Sequence, residues 1–487
     1  MSISAVNSTL VRESGYIDGR WCQAGSGNTI AVYNPANGDH LGQVPDMGET
    51  ETRAAIDAAS RALPAWSALN PKERARLLRN WFDLIIEHKE DLARLMTQEQ
   101  GKPLFETRGE VLYGASYIEW YAEEAKRAYG KVFSAPTGDK RALSIQQPIG
   151  VVAAITPWNF PNAMITRKLA PALAAGCTVV VKPSEETPFS ALALMALAEQ
   201  AGIPAGVINM ITSSQAATVG NVLTSDSRVR KLSFTGSTRV GKLLYGQSAD
   251  TMKKLSLELG GNAPFIVFND ADLDAAVTGA IISKYRNAGQ TCVCANRILV
   301  QDGIYDEFMA RFKAEVEKFV IGNGLDAATT LGPVINKAAV DKIAGMVDAA
   351  LSEGATLVTG GRRHSAGELF YAPTILGNVT QQMAIANQEI FGPVAPVIRF
   401  KDDAEAVAIA NDTPYGLAAY FYTESHSRIW RIAEQLEYGM IGINEGILSN
   451  EIAPFGGVKE SGLGREGSAE GLADYMETKY LCMGGIR

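Results

Sequence analysis

"CTVVVKPSEETPFSALALMALAEQAG", residues 177–202, decides how the rest of the chain is read. A short β-branched run stops at Lys182-Pro183, a polar turn follows, and from Pro188 apolar residues recur at helical spacing until Gly202. β-branched residues suit a buried strand, proline the first turn of a helix and glycine its end. The stretch therefore predicts strand, turn and helix. On either side lie "GVVAAI" (150–155), stopped by Thr156-Pro157, then "GVINMI" (206–211) and "KLSF" (231–234). Continuously apolar strands alternating with helices predict an α/β fold, with a mostly parallel sheet covered on both faces. Such a sheet binds its ligand beyond the carboxyl ends of its strands, which singles out the turns at Thr156, Lys182 and Thr235.

Further out, the rhythm repeats more loosely. "APFIVF" (263–268) precedes a helix from Asp272 toward Lys284, and "ATLVTGG" (355–361), "APVIRF" (395–400) and "YGMIGIN" (438–444) read as strands of a second α/β domain. "RALSIQQP" (141–148) alternates with period two, so Gly130 to Gln147 forms either an arm outside both cores or an ordinary surface hairpin. "GLGREG" (462–467) has the spacing of a dinucleotide fingerprint, but it follows the loop "FGGVKES" and only twenty residues remain after Gly467. That is too short for the βαβ unit the fingerprint needs.

The 487 residues suggest two or three domains, and 46% apolar with 20% charged residues describes an ordinary globular chain. A net charge of -8 without a long basic run argues against nucleic acid or an anionic membrane as partner. "MSISAVNSTLVRESGYIDGR" lacks the apolar core of a secretory signal, and the nearly apolar run Leu169 to Val181 is too short to span a bilayer, so a cytoplasmic location is expected. Five dispersed cysteines do not resemble a disulfide framework. Zinc fits poorly, since none of the four histidines lies near Cys292 in sequence, and no metal is expected.

"YRNAGQTCVCANR" (285–297) holds Cys292 and Cys294. Cys292 reads either as a nucleophile, which needs positive potential to ionise and has only Arg286 and Arg297 nearby in sequence, or as a small buried side chain. Glu258 in "SLELGGNAPF" is either a structural partner or a general base with a raised pKa. Asn159 in "TPWNFP" caps a turn or offers its amide to a developing oxyanion. "FTGSTRVG" (234–241) places a glycine turn between strand and helix, where backbone N–H groups can receive a pyrophosphate. Lys182 and Glu185 would grip ribose hydroxyls, or form a solvated ion pair.

Together, "TPWNFP", "KPSEETPFSA", "FTGSTRVG", "LELGGNAPFIVF", "GQTC" and "EIFGPV" resemble the aldehyde dehydrogenase superfamily in order and spacing along nearly the whole chain. "MITRK", "YRNAGQTCVCANR", "INEGILSNEIAPFGGVKESGLGREG" and "KYLCMGG" are similar to its succinate- and glutarate-semialdehyde branch. The resemblance implies a Rossmann-like NAD(P)-binding domain (1–129 and 148–257), an α/β catalytic domain (258–458) and a small β bridging arm (130–147 and 459–487), assembled as a dimer or tetramer. It implies Cys292 as nucleophile, Glu258 as base, and Asn159 with the backbone N–H of Cys292 as oxyanion hole. Lys168 would join the surrounding polar network. Thr156, Pro157, Trp158, Lys182, Ser184, Glu185, Gly236, Ser237, Glu389 and Phe391 would hold the cofactor, with NAD expected over NADP because Glu185 would meet a 2′-phosphate with like charge.

Arg167, Arg286 and Ser449 match the carboxylate-binding side chains of the semialdehyde enzymes, and Cys294 the second thiol of a reversible disulfide used by some of them. The implied reaction is oxidation of succinate semialdehyde to succinate, or of glutarate semialdehyde or another aldehyde, through a thiohemiacetal and a thioester on Cys292. Two departures stand out: Thr212-Ser213 replaces the usual Thr-Gly before the adenine loop, and Gln388 replaces a glutamate common beside Glu389. A cysteine hydrolase would want a histidine base, and no histidine lies in a matching motif. A non-catalytic relative would be expected to lose Cys292 or Glu258.

Overall fold

The computed structural model describes residues 3–486. Five parallel strands form the centre of an eight-stranded sheet, in the order Lys254–Glu258, Val229–Thr235, Val151–Ile155, Thr178–Lys182 and Ile208–Met210. Thr178–Lys182 is buried along its length, as a run of three valines requires. The helix Pro188–Gln200 opens with proline, and Gly202 follows in the left-handed region at φ 86°, matching the expected strand, turn and helix. The helix Ala163–Ala175 is buried on all sides, so its one cationic pair, Arg167 and Lys168, has no route to water.

A second, seven-stranded sheet carries Ala263–Val267, Ala295–Gln301, Val394–Phe400, Ala418–Tyr422 and Met440–Ile443 in parallel pairings, with Thr374–Gly377 and the antiparallel Thr356–Thr359 at one edge. Two edges of the first sheet come from distant sequence. Gly15–Ile17 and Arg20–Cys22 close one side, and Gly462–Leu463 pairs antiparallel with Leu257 and Glu258 on the other. A Cβ on Gly462 would stand 1.8 Å from the Leu257 carbonyl, so glycine there serves close strand approach.

Glu258 is the last residue of a first-sheet strand, and residues 462–463 pair with the same sheet. The arm sheet is Lys131–Phe133, Arg141–Pro148 and Met476–Met483, the last two paired over eight residues. Val132, Tyr480 and Met483 on it are exposed.

Candidate active site

The carboxyl ends of the parallel strands converge as the βαβ rhythm requires. Ile155 leads into Thr156-Pro157-Trp158-Asn159, Lys182 into Ser184 and Glu185, Thr235 into Gly236 and Ser237, and Glu258 closes its own strand. Pro157, Trp158, Asn159, Gly236, Ser237, Cys292, Glu389 and Phe391 line one cleft of about 270 Å³ between the two sheets' domains. Ser237 caps the helix Thr238–Gln247, accepting from the N–H of Val240 at 3.4 Å. Glu389 accepts from the Gly261 N–H at 3.0 Å. Burial raises the Glu389 carboxyl, opposed by that N–H and by Lys342 and Lys284.

The cleft fits a dinucleotide on several observations. The hydroxyls of Thr156 and Thr235 are buried without a hydrogen-bond partner, a costly state that a bound polar group relieves. A Cβ on Gly260 would stand 2.9 Å from Glu389 Oε2, so glycine keeps the space beside that carboxylate open. Trp158 and Phe391 meet edge-on at 5.6 Å, an apolar wall for a flat ring. Lys182, Ser184 and Glu185 sit at the neighbouring strand end, with Lys182 Nζ 3.0 Å from Glu185 Oε2. Glu185 faces a separate cavity that also includes Glu99 and Asn336.

Cys292 lies in a turn after the helix Leu273–Tyr285 and before the strand Ala295–Gln301. Burial pushes its thiol up to about 12; Arg167 and Arg286 pull it down, while Glu258 and Glu389 push it further up. The resting group is therefore a thiol, and its proton must leave as it attacks. Arg297, one of the two cations near it in sequence, is spent elsewhere: it donates to the carbonyls of Ile409, Asn262 and Ala410.

Glu258 lies close enough to Cys292 to bear on its charge. Its Oε2 is buried without a partner, and its carboxyl is raised well above the usual range by burial first and then by Glu466, against the pull of Arg167, Lys168 and Arg465. Asn159 is buried and donates one amide hydrogen to the Gln290 carbonyl at 3.0 Å, leaving its second N–H uncommitted.

Arg286 and Ser449 come together, lining a second cavity of about 530 Å³ whose walls include Phe105, Phe160, Ile281 and Ile447. Both also flank a small void with Thr291 and Val293, the neighbours of Cys292. Arg167 is not in the described lining of either space. It is fully buried, ion-paired to Glu466 at 2.6 Å and 3.9 Å from the Phe455 ring, with Nε unpartnered. Lys168 reaches the same carboxylate at 2.5 Å. Burial raises Glu466, but Lys168 and Arg167 outweigh it and hold the carboxyl below its ordinary value.

Glu466 is the site residue that sequence reasoning missed, because it sits inside the rejected "GLGREG" run. The signal was the adjacent pair Arg167-Lys168 in an otherwise apolar helix, which demands a counter-charge. Cys294 is buried, and its thiol donates to the Lys284 carbonyl at 3.3 Å. No group of three or more metal-ligating side chains, and no helix long and apolar enough to cross a membrane, occurs among the described residues.

The Cys292 loop thus lies between the cleft at the strand ends and the cavities lined by Arg286 and Ser449. The chain belongs to the aldehyde dehydrogenase family, whose sequence profile matches residues 21–481. It is 61% identical over 477 residues to a glutarate-semialdehyde dehydrogenase of Pseudomonas aeruginosa, covering 98% of this chain and 99% of that one. It is equally 61% identical, over 478 residues and with the same coverage, to an NADP(+) succinate-semialdehyde dehydrogenase of Escherichia coli K12. The crystal structure of an NADP-dependent enzyme from E. coli superposes with a TM-score of 0.97 at 60% identity, covering 98% and 99% of the two chains. The activity is aldehyde oxidation with a nicotinamide dinucleotide.

Proposed function

We propose that the chain oxidises succinate semialdehyde to succinate, with glutarate semialdehyde as the alternative substrate. The observation that carries this reading is Arg286 beside Ser449 in a cavity walled mainly by apolar side chains, with Glu106 and Glu110 the other charged residues of its lining, next to the nucleophile loop. A guanidinium in such surroundings suits a substrate carboxylate at the end away from the aldehyde. The names of the two 61%-identical relatives support both chain lengths.

In this reading Cys292 Sγ, which is only partly buried, attacks the aldehyde carbon as its proton passes to solvent. The spare N–H of Asn159 and the backbone N–H of Cys292 receive the developing oxyanion. The dinucleotide, when bound, supplies the hydride acceptor. Glu258 then takes a proton from the water that releases the acid from the thioester.

Glu389 would hold one ribose, Gly236 and Ser237 the pyrophosphate, and Lys182, Ser184 and Glu185 the other ribose. NAD is the preferred cofactor on the strength of the Glu185 carboxylate. The NADP(+) relative and the Lys182 ammonium support the alternative. The exposed apolar side chains of the arm support assembly with further copies as a dimer or tetramer; light scattering on the purified protein measures this directly.

Arg286→Ala tests the substrate assignment. Loss of a charge-assisted contact of about 2 kcal/mol raises KM for succinate semialdehyde about 30-fold and leaves propanal nearly unchanged. Equal losses on both aldehydes remove Arg286 from the substrate site. Arg167→Ala is expected to harm both, because it strips Glu466 of a partner.

A further inference from the structure

Asn287, five residues before Cys292, uses every hydrogen-bonding group it has. Its backbone N–H donates to Glu106 Oε2 at 2.8 Å, and its amide nitrogen donates to the carbonyls of Asn159 at 3.0 Å and Gln290 at 3.3 Å. Its Oδ1 accepts from Gln100 Nε2 at 2.9 Å, and its carbonyl accepts from Gln290 N and Nε2, both at 3.0 Å. The residue is buried.

The backbone here is unusual. Asn287 (φ 51°) and Ala288 (φ 53°) are consecutive left-handed residues with a Cβ, followed by Gly289 at φ 75°. Asparagine tolerates that region, but alanine does not, at a cost of about 1–2 kcal/mol. Such a conformation persists only when its surroundings enforce it. Asn287 supplies the enforcement. Its amide and that of Asn159 both end on the Gln290 carbonyl, two residues before Cys292, while Lys102 Nζ grips the Asn159 carbonyl at 2.7 Å from the other side.

We infer that Glu106 and Asn287 act as a positioning pair: they hold the left-handed turn that presents Cys292 and aim the uncommitted N–H of Asn159 at the aldehyde oxygen. The inference rests on Cys292 and Asn159 being nucleophile and oxyanion donor. Neither partner touches the reacting atoms in this reading. Glu106 also lines the outer cavity with Arg286, so the contact ties that cavity's wall to the nucleophile loop.

The test compares Glu106→Gln, which keeps an oxygen acceptor for the Asn287 N–H, with Glu106→Leu, which does not, and adds Asn287→Ala at the other end of the contact. The readouts are the rate of the first turnover with propanal, whose lack of charge makes it independent of Arg286, and the cofactor dissociation constant from fluorescence titration. A misplacement of about 1 Å costs about 100-fold in rate, so Glu106→Leu and Asn287→Ala should slow the first turnover by that order. Cofactor binding should hold, and Glu106→Gln should stay near the parent. The pair is refuted if Glu106→Leu reacts at the parent rate, if Glu106→Gln is as slow as Glu106→Leu, or if cofactor binding falls in parallel. Cys292→Ala is the control: a first turnover in that variant overturns the assignment of the nucleophile, and with it the pair's role in aiming that residue.

Discussion

Replacing Glu466 by glutamine removes one charge and tests how the buried carboxylate pair divides its work. The backbone of Glu466 stays fixed, because its N–H and carbonyl both pair with Phe455 at 2.8 and 2.7 Å. What is lost is the partner of two fully buried cations, Arg167 at 2.6 Å and Lys168 at 2.5 Å. Breaking a buried ion pair from one side costs about 3–5 kcal/mol, visible as a lower urea midpoint.

The catalytic consequence has a definite sign. Glu258 is raised by burial and then by Glu466, and is pulled down by Arg167, Lys168 and Arg465. With Glu466 neutral, one raising influence disappears and two lowering ones lose their counter-charge. The pKa of Glu258 therefore falls. A base works deprotonated, so turnover is lost as pH drops through that pKa, and Glu466→Gln should move the acid limb of the kcat profile to lower pH. The assay is kcat against pH with saturating propanal. An acid limb that stays put or moves to higher pH refutes the coupling.

Other expectations follow from the same geometry. Cys292→Ala should abolish turnover, whereas Glu258→Gln should release one equivalent of reduced cofactor per site and then stall; normal steady-state rates in either variant defeat the assignment. The parent's kcat/KM should favour NAD, and Glu185→Ala should move the ratio toward NADP; a parent that prefers NADP overturns the role given to Glu185. Mild peroxide should inactivate the enzyme and dithiothreitol restore it. The turn is already bent, with the Cys294 N–H donating to the Thr291 carbonyl at 3.2 Å, though the Cys294 thiol must first leave the Lys284 carbonyl. Cys294→Ala should lose that recovery by over-oxidation of Cys292, and full recovery would leave Cys294 as packing alone.

What the chain announces locally and what it hides follow from the physics of each residue. The turns at Thr156, Lys182 and Thr235 were readable because a β-branched run, a breaker and a helical period lie within one short window, and the ends of parallel strands must then face the same way. Glu466 and Gly462 were not, because each is defined by a partner some two hundred residues or more away. Gly462 completes a sheet edge beside Glu258, and Glu466 neutralises the cations of the distant helix Ala163–Ala175. A glycine-rich run reads the same whether it cradles a phosphate or lets two strands touch.

Asn287 shows the same divide inside a single residue. "RNAG" reads as a turn, which it is, but nothing in four letters says that the turn is left-handed twice over or that Glu106, Gln100 and Asn159 come to hold it. The strain belongs to the segment, whereas the groups that balance it come from two helices, the Asn159 loop and the Cys292 loop itself. The cost of forming the Cys292 loop is thus written locally, and its compensation only in the fold. That is why "RNAG" can be read as a turn from sequence while the residues that hold it cannot be found there.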